Sequence, residues 1–359
     1  PGWQAPMASR ADGPPVTLGI ESSCDETSAA VLDRDGRPLA NVVATQIALH
    51  APYGGVVPEL AARAHLMNIR PVVAEALRQS GADRRDIGLV AVTQGPGLIG
   101  ALLVGLSYAK ALARVLDIPV VGVNHLEGHF FSPFIEHPEI PFPVIALVVS
   151  GGHTSLYHAA KLGQYELLAA TRDDAAGEAY DKVAKLLGLP YPGGPFIDRA
   201  ASDWAGEAVA FAPPKISDGS LDFSFSGLKT AVLYRVRQEG LGEAAVPPGE
   251  HPVVLAILKG FQRTVVGHLL HRVRHFCKER RPRSLILCGG VACNSELRRR
   301  SGELGRELGI GVYYPSPEYT TDNAAMIAAA GRHAFAEGRR GSIRMNAFAD
   351  FPLTAAAPG

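Results

Sequence analysis

Val16-Thr17-Leu18-Gly19-Ile20-Glu21-Ser22-Ser23-Cys24-Asp25-Glu26-Thr27-Ser28-Ala29-Ala30-Val31-Leu32 reads as an apolar strand, a polar turn and a returning strand. Branched aliphatic residues suit the strands, and the Ser/Asp cluster suits the turn. Downstream, Leu89-Val90-Ala91-Val92-Thr93 meets Gly95-Pro96-Gly97 and opens a helix over Leu102 to Leu116. The same order then returns. Pro143 to Val149 runs into Ser150-Gly151-Gly152-His153 and back through Thr154-Ser155-Leu156-Tyr157; later Ser284-Leu285-Ile286-Leu287 meets Cys288-Gly289-Gly290 before a helix over Asn294 to Leu308. Two copies of strand-turn-strand followed by strand-glycine-helix predict two related α/β lobes facing each other across a cleft. The second copy carries an insertion, roughly residues 161–252, within which Gly240 to Pro252 is a Gly/Pro-rich loop.

A chain of 359 residues, 47% hydrophobic, can bury a large core and has the length of two lobes. Its 35 Lys+Arg balance 35 Asp+Glu, so the whole molecule exerts no net pull on a polyanion. Nucleic acid would have to be held by local patches or by partner proteins. Basic clusters stand at Arg280-Arg281-Pro282-Arg283, Arg298-Arg299-Arg300 and Arg339-Arg340, each as well suited to a solvated helix end as to RNA. The four cysteines, Cys24, Cys277, Cys288 and Cys293, contain no C-x-x-C pair and fit a reducing cytosol. Residues 1–15 lack the apolar core of a secretory signal and read as an extension or an appended remnant ahead of the folded chain. Apolar runs such as Val144-Ile145-Ala146-Leu147-Val148-Val149 are too short to cross a bilayer, which predicts a soluble, cytoplasmic protein with no membrane association.

The run Val123-Asn124-His125-Leu126-Glu127-Gly128-His129 places two imidazoles four residues apart. At 3.6 residues per turn that spacing stacks both on one helix face, where they can converge on one metal ion. A third ligand must come from elsewhere, and the strongest candidate is Asp322, in a polar turn that leads into an Ala-rich helix. Two His and one carboxylate with open positions suit Fe(II) or Zn(II). The ordinary alternative is a pair of surface or capping histidines. A zinc-protease motif would put Glu directly after the first His; Glu127 instead sits two positions on, rotated about 200° from His125 and off the metal face. With Asn124 as N-cap, Glu127 falls at N3 and reads as part of a capping box, not as a general base.

Turns without side chains let backbone N–H groups approach an anion. Gly95-Pro96-Gly97, Ser150-Gly151-Gly152, Gly193-Gly194 and Cys288-Gly289-Gly290 are four such turns, and their mirrored placement favours a nucleotide cleft. No Walker lysine pattern or G-x-G-x-x-G accompanies them, which weakens P-loop and dinucleotide readings. Near them stand Asp25 and Glu26 in the first turn, and Asp181 in a segment whose Glu178/Lys182 and Asp181/Lys185 spacings equally suit a solvated helix.

The ordered set is specific as a whole: Gly19-Ile20-Glu21-Ser22-Ser23-Cys24-Asp25-Glu26-Thr27, Gly54-Gly55-Val56-Val57-Pro58-Glu59-Leu60-Ala61, Gly95-Pro96-Gly97-Leu98, Asn124 to His129, Ser150 to Thr154, Asp174 to Lys182, Tyr191-Pro192-Gly193-Gly194-Pro195, Phe223 to Thr230, Gly289 to Asn294 and Asp322-Asn323-Ala324. From about Thr17 to about Gly338 the chain resembles the bacterial-type tRNA N6-adenosine threonylcarbamoyltransferase family, once described as glycoproteases. The resemblance implies an α/β fold of two duplicated actin-like ATPase-type (ASKHA, ribonuclease H-like) lobes around a central cleft. The lobes would span 16–124, completed by the C-terminal helix 323–338, and 125–322. It implies transfer of threonylcarbamoyl from threonylcarbamoyl-AMP to N6 of the adenosine 3′ of the anticodon in tRNAs reading ANN codons, releasing AMP. It implies one divalent metal, iron or zinc, per subunit on His125, His129 and Asp322. Val148, Val149, Ser150, Gly151, Gly152, Asp181, Gly194 and Asn294 match the family's adenylate-binding positions, in a cleft open to ATP- or ADP-like nucleotides. Asp25 and Glu26 match acidic positions that matter for activity. The implied partners are tRNA, the paralogue TsaB as a heterodimer, the ATPase TsaE, and TsaC as the supplier of the adenylate.

Rival readings are a metalloprotease, a sugar kinase or chaperone-like ATPase of the same fold, and a non-catalytic scaffold. The position of Glu127 speaks against the first, the paired histidines against the second, and the intact ligand set against the third.

Overall fold

The computed structural model describes residues 15–214, 216, 218–241 and 251–354. Most of the expected N-terminal extension and most of the Gly240 to Pro252 loop lie outside the described residues. The strands are β1 (Val16–Glu21), β2 (Glu26–Leu32), β3 (Pro38–Thr45), β4 (Ile87–Gly95), β5 (Val120–Asn124), β6 (Val144–Val149), β7 (Thr154–Lys161), β8 (Gln164–Ala170), β9 (Ser284–Cys288) and β10 (Gly311–Tyr313). The helices are α1 (Ile47–His50), α2 (Pro58–Ser80), α3 (Ile99–Leu116), α4 (His125–Glu136), α5 (Ala176–Leu186), α6 (Gly193–Asp203), α7 (Ser226–Gln238), α8 (Pro252–Arg280), α9 (Ser295–Leu308), α10 (Pro317–Thr320) and α11 (Ala324–Ala336).

The strands form two five-stranded sheets, ordered β3-β2-β1-β4-β5 and β10-β9-β6-β7-β8. Read from opposite ends these are one topology. β1 and β6 each pair antiparallel with the next strand and parallel with the strand that follows the crossover. The duplication read from the sequence is therefore present strand by strand. It also includes an outer antiparallel strand (β3, β8) and an outer parallel strand (β5, β10) in each copy.

Chain contacts divide the molecule into two compact units. One holds the described chain up to His50, Val56–Glu139 and the chain from Pro315 onward; the other holds Ala51–Gly55 and Ile140–Tyr314. The expected boundary at residue 124/125 is thus displaced: α4 belongs to the first unit, and the chain returns to that unit at Pro315, before Asp322. The physical reason lies on α4, where a side chain at Gly128 would meet Ile327 and Met326 of α11. The ring of Phe131 sits 5.2 Å from His333, and Glu127 takes both terminal nitrogens of Arg339.

Helices cover the sheets: the first carries α2 and α3 on one face and α11 on the other. β1, β4 and the inward faces of α2 and α3 build one core around Leu18, Ile20, Val90, Val92 and Leu106. β6, β9, α5, α7 and α8 build the other around Ile145, Leu147, Tyr180, Phe223 and Phe261. Two helices, α3 and α8, are long and apolar enough by length and composition to cross a bilayer, which amends the expectation drawn from short apolar runs. In the fold each packs one face into a core: Leu102, Leu106 and Ala109 of α3, and Phe261, Val265 and Leu269 of α8, are fully buried.

Candidate metal centre

Three asparagines start the helices that matter. Asn124 accepts the amides of Leu126 and Glu127, Asn294 accepts that of Leu297, and Asn323 accepts that of Met326. Each satisfies amides that a helix start would leave orphaned. Two of these caps define the centre, because His125 directly follows Asn124 and Asp322 directly precedes Asn323. α11 packs against α4 and against β1, β2 and β4, so the two caps are held within one unit.

His125, His129 and Asp322 each offer a ligand atom within 4.8 Å of the others. His129 Nε2 lies 3.1 Å and His125 Nε2 lies 3.5 Å from Asp322 Oδ1. An ion about 2.0–2.2 Å from each ligand would set neighbouring ligand atoms about 3.0–3.5 Å apart at octahedral to tetrahedral angles, which matches both separations. His129 is fully buried; its Nδ1 has no hydrogen-bond partner among the described residues, and its Nε2 has none beyond the 3.1 Å approach to Asp322 Oδ1. A buried imidazole whose Nε2 faces only a carboxylate is well placed to bind a cation through that nitrogen. The donor set therefore fits a divalent metal.

Glu21 was read from the sequence only as the start of a turn, and the structure gives it a role at the centre. It is fully buried at the end of β1, where its Oε2 accepts the Thr93 hydroxyl at 2.6 Å and stands 3.1 Å from His125 Nδ1. Ser23 Oγ is 3.2 Å from the same nitrogen. A proton on Nδ1 pointing at Glu21 leaves the Nε2 lone pair facing Asp322, the carboxylate–histidine arrangement that orients a metal ligand. A buried glutamate ending an apolar strand was the available signal.

The electrostatics follow from these neighbours. Burial disfavours the charged His125, but the Asp322 and Glu21 carboxylates outweigh it and hold its pKa well above the ordinary histidine value. Burial likewise opposes the charge of Asp322, yet His125 and His129 hold its carboxyl well below the usual range, and His125 does the same more weakly for Glu21. Glu21, fully buried, and Asp322, partly buried, thus call for a cation, supplied by protons on imidazole or by a metal.

Asp25 and Glu26 stand side by side at the end of the turn between β1 and β2. Burial, then the Asp25 and Asp322 carboxylates, push Glu26 up to about 10, with one oxygen accepting the Thr45 hydroxyl at 3.3 Å. Burial and the neighbouring carboxylates thus favour the protonated form of Glu26. The Glu127 carboxylate pairs with Arg339 at 3.0–3.2 Å, a structural role, and the protease reading loses its general base.

The predicted adenylate positions all fall in the second unit. Val148 and Val149 are buried in β6. The turn after them is closed by Ser150 N donating to His153 O at 2.8 Å, and Gly151 and Gly152 have open space beside them. Any side chain at Gly289 would collide with the Val149 carbonyl, so the two glycine turns meet. Asp181 accepts Gly193 N at 2.8 Å, tying α5 to the next glycine turn, and Gly194 faces open space. Asn294 donates to Gln262 at 2.8 Å. Asp198, which sequence reading did not single out, receives Gln262 Nε2 and both the amide and hydroxyl of Ser295. A cavity of about 380 Å³ adjoins this network, lined in part by Lys259, Gln262, Arg263 and Ser295.

Comparison with known proteins places these geometries in a family. Residues 37–329 match the family model described as TsaD, tRNA N6-adenosine threonylcarbamoyltransferase. The tRNA N6-adenosine threonylcarbamoyltransferase of Syntrophotalea carbinolica is 50% identical over 340 residues, covering 94% of this chain and 97% of the relative. Component A of (R)-2-hydroxyglutaryl-CoA dehydratase from Acidaminococcus fermentans superposes with TM-score 0.53 at 15% identity, covering 90% of this chain and 99% of that one. HypF from T. kodakarensis superposes with TM-score 0.59 at 15% identity, covering 90% of this chain and 48% of that one. These likenesses show the fold, the duplicated actin-like ATPase-type plan. By its matched model and its half-identical, nearly full-length relative, the chain belongs to the tRNA N6-adenosine threonylcarbamoyltransferase family.

Proposed function

We propose that this chain carries out its family's reaction with His125, His129 and Asp322 as the ligands of one Fe(II) or Zn(II) ion. The threonylcarbamoyl group moves from threonylcarbamoyl-AMP to N6 of the adenosine 3′ of the anticodon in tRNAs reading ANN codons, and AMP leaves. The observation that carries the reading is the convergence of two buried imidazoles and a carboxylate, with His129 otherwise unsatisfied. When bound, the ion supplies a Lewis acid and an anchor for substrate oxygens.

The chain's own residues do the rest. Glu21 fixes the His125 tautomer. The backbone of Val148 to Gly152, with Asp181, Gly194 and Asn294, holds the adenylate, and the cavity beside Gln262 and Ser295 receives part of it. The acid anhydride already has a good leaving group, while the attacking amine is delocalised into the purine. Orientation is therefore the larger contribution, about 7–11 kcal/mol of barrier against several for the Lewis acid. One of the two acidic turn residues, Asp25 or Glu26, receives the amine proton.

An anticodon-loop base is single-stranded and reaches a site without duplex opening. With zero net charge the chain binds tRNA weakly alone, and assembly with TsaB and TsaE, fed by TsaC, supplies the missing surface. Leu66 and Met67 of α2 and Ile99 and Leu103 of α3 are exposed on helices that pack against each other, and they are the proposed TsaB face. We place the reaction in the cytoplasm. Incubation with threonine, bicarbonate, ATP, tRNA and the partner proteins, read by mass spectrometry of tRNA nucleosides, should give the modified adenosine with the native chain. His125→Ala should abolish both metal content and product; an intact yield with metal retained would refute the assignment.

A further inference from the structure

The chain's last described stretch, from Met345 on, lies beyond residue 329, where the family match ends. It does not trail into solvent. Met345, Phe351 and Leu353 are buried, and its backbone is bonded at successive points to the first lobe. Phe348 N donates to Gln94 O at 2.9 Å while Gln94 Nε2 donates to Asn346 O at 3.0 Å. Gly97 N donates to Ala349 O at 3.2 Å. Asn124 Nδ2 donates to Phe351 O at 2.7 Å.

Those anchor points both lead to His125. Asn124 is the cap of α4: its Oδ1 holds the amides of Leu126 and Glu127 while its Nδ2 is held by the strap, so one amide group joins the two. The Gln94–Gly97 turn leads to the amide of Leu98, which donates to Ser23 O at 2.8 Å, and Ser23 Oγ meets His125 Nδ1. Gly95 leaves no room for a side chain against Phe348 O, nor does Gly97 against Ser23 O, so strap, turn and Ser23 backbone are in direct contact. A cap held at its side chain sets the start of its helix, and the first residue after this cap is a metal ligand.

We propose that residues 346–353 are a latch that positions His125 and His129 by clamping the N-cap of their helix. The inference rests on the metal reading only for its consequence, tighter ion binding; the clamp itself is independent of it. Asn124→Asp keeps the cap acceptor but sets a carboxylate against the Phe351 carbonyl. Phe351→Ala removes one of the latch's buried side chains. Met345→Ala is the control, because Met345 is anchored in the sheet core and not on the cap.

Amide hydrogen exchange is read across 125–131 in the metal-free protein, and cobalt(II) affinity by competition with a chromophoric chelator. Asn124→Asp and Phe351→Ala should speed exchange there about tenfold or more and weaken cobalt binding about tenfold. Met345→Ala, at a similar loss of melting temperature, should do neither. Unchanged exchange in both latch variants, or an equal change in the control, overturns the latch; so does faster exchange with undiminished cobalt affinity. If the native chain binds no cobalt, the metal reading falls, and exchange alone decides the clamp.

Discussion

Glu21 and His268 show how a single buried side chain sets the chemistry around it. Glu21 orients His125, and replacing it by Gln keeps the shape while removing the charge. Glu21→Gln should weaken metal binding about 10–100-fold, as second-layer carboxylates typically do, with little change in fold; an unaltered metal affinity by chelator competition would remove Glu21 from the centre. His268 stands 5.3 Å from the ring of Phe225, and burial drops its pKa to about 3. Its depressed pKa means the fold favours the neutral ring, so this contribution is complete above the unfolded value near 6.5 and is lost as pH falls toward 3. At pH 5 the loss is about 2 kcal/mol, and His268→Phe should remove that part of the acid sensitivity in urea melts compared at pH 7 and pH 5. His125 and His129 were legible because helix periodicity needs only four residues of context, and Asp322 because a polar turn precedes its helix. Glu21 was hidden because its partners, Thr93 and His125, are brought to it by sheet order and not by proximity in the chain.

Helix starts were readable where an asparagine caps them, and the structure puts Asn124, Asn294 and Asn323 at those caps. Short outer strands were not. β10 has three residues, and β8 is largely exposed, so neither carries the buried alternation that marks a strand. The placement of α11 also depends on what is missing from side chains: a Cβ at Gly19 of β1 would lie 2.2 Å from the Ala324 carbonyl, two residues after Asp322. Gly19→Ala should therefore push the start of α11 off the sheet, costing about 1–3 kcal/mol and weakening metal binding through Asp322. Calorimetry together with metal titration checks this, and loss of stability without loss of affinity would show that Asp322 is held by other means. At the far end of α11, Arg339→Ala leaves the buried Glu127 carboxylate without its guanidinium and should cost about 2 kcal/mol in denaturant unfolding, discounted for the partial exposure of Arg339.

For the molecule as a whole, duplication was legible because each copy repeats the same glycine punctuation, and the two sheets share one strand order. The path between lobes was not, because α4 and the chain from Pro315 join the first unit through packing against α11 that periodicity does not encode. The exposed α2–α3 face belongs at this scale too. Leu103→Asp should leave the isolated chain's stability within about 0.5 kcal/mol while abolishing stimulation of transfer by the TsaB partner; stimulation that survives would move the partner elsewhere. The central claim concerns one ion and three side chains, and anomalous diffraction at the metal's absorption edge from active, metal-replete protein tests it most directly. The account predicts a single anomalous peak within coordination distance of His125 Nε2, His129 Nε2 and Asp322. Active protein whose peak lies elsewhere, or that shows none, would contradict it.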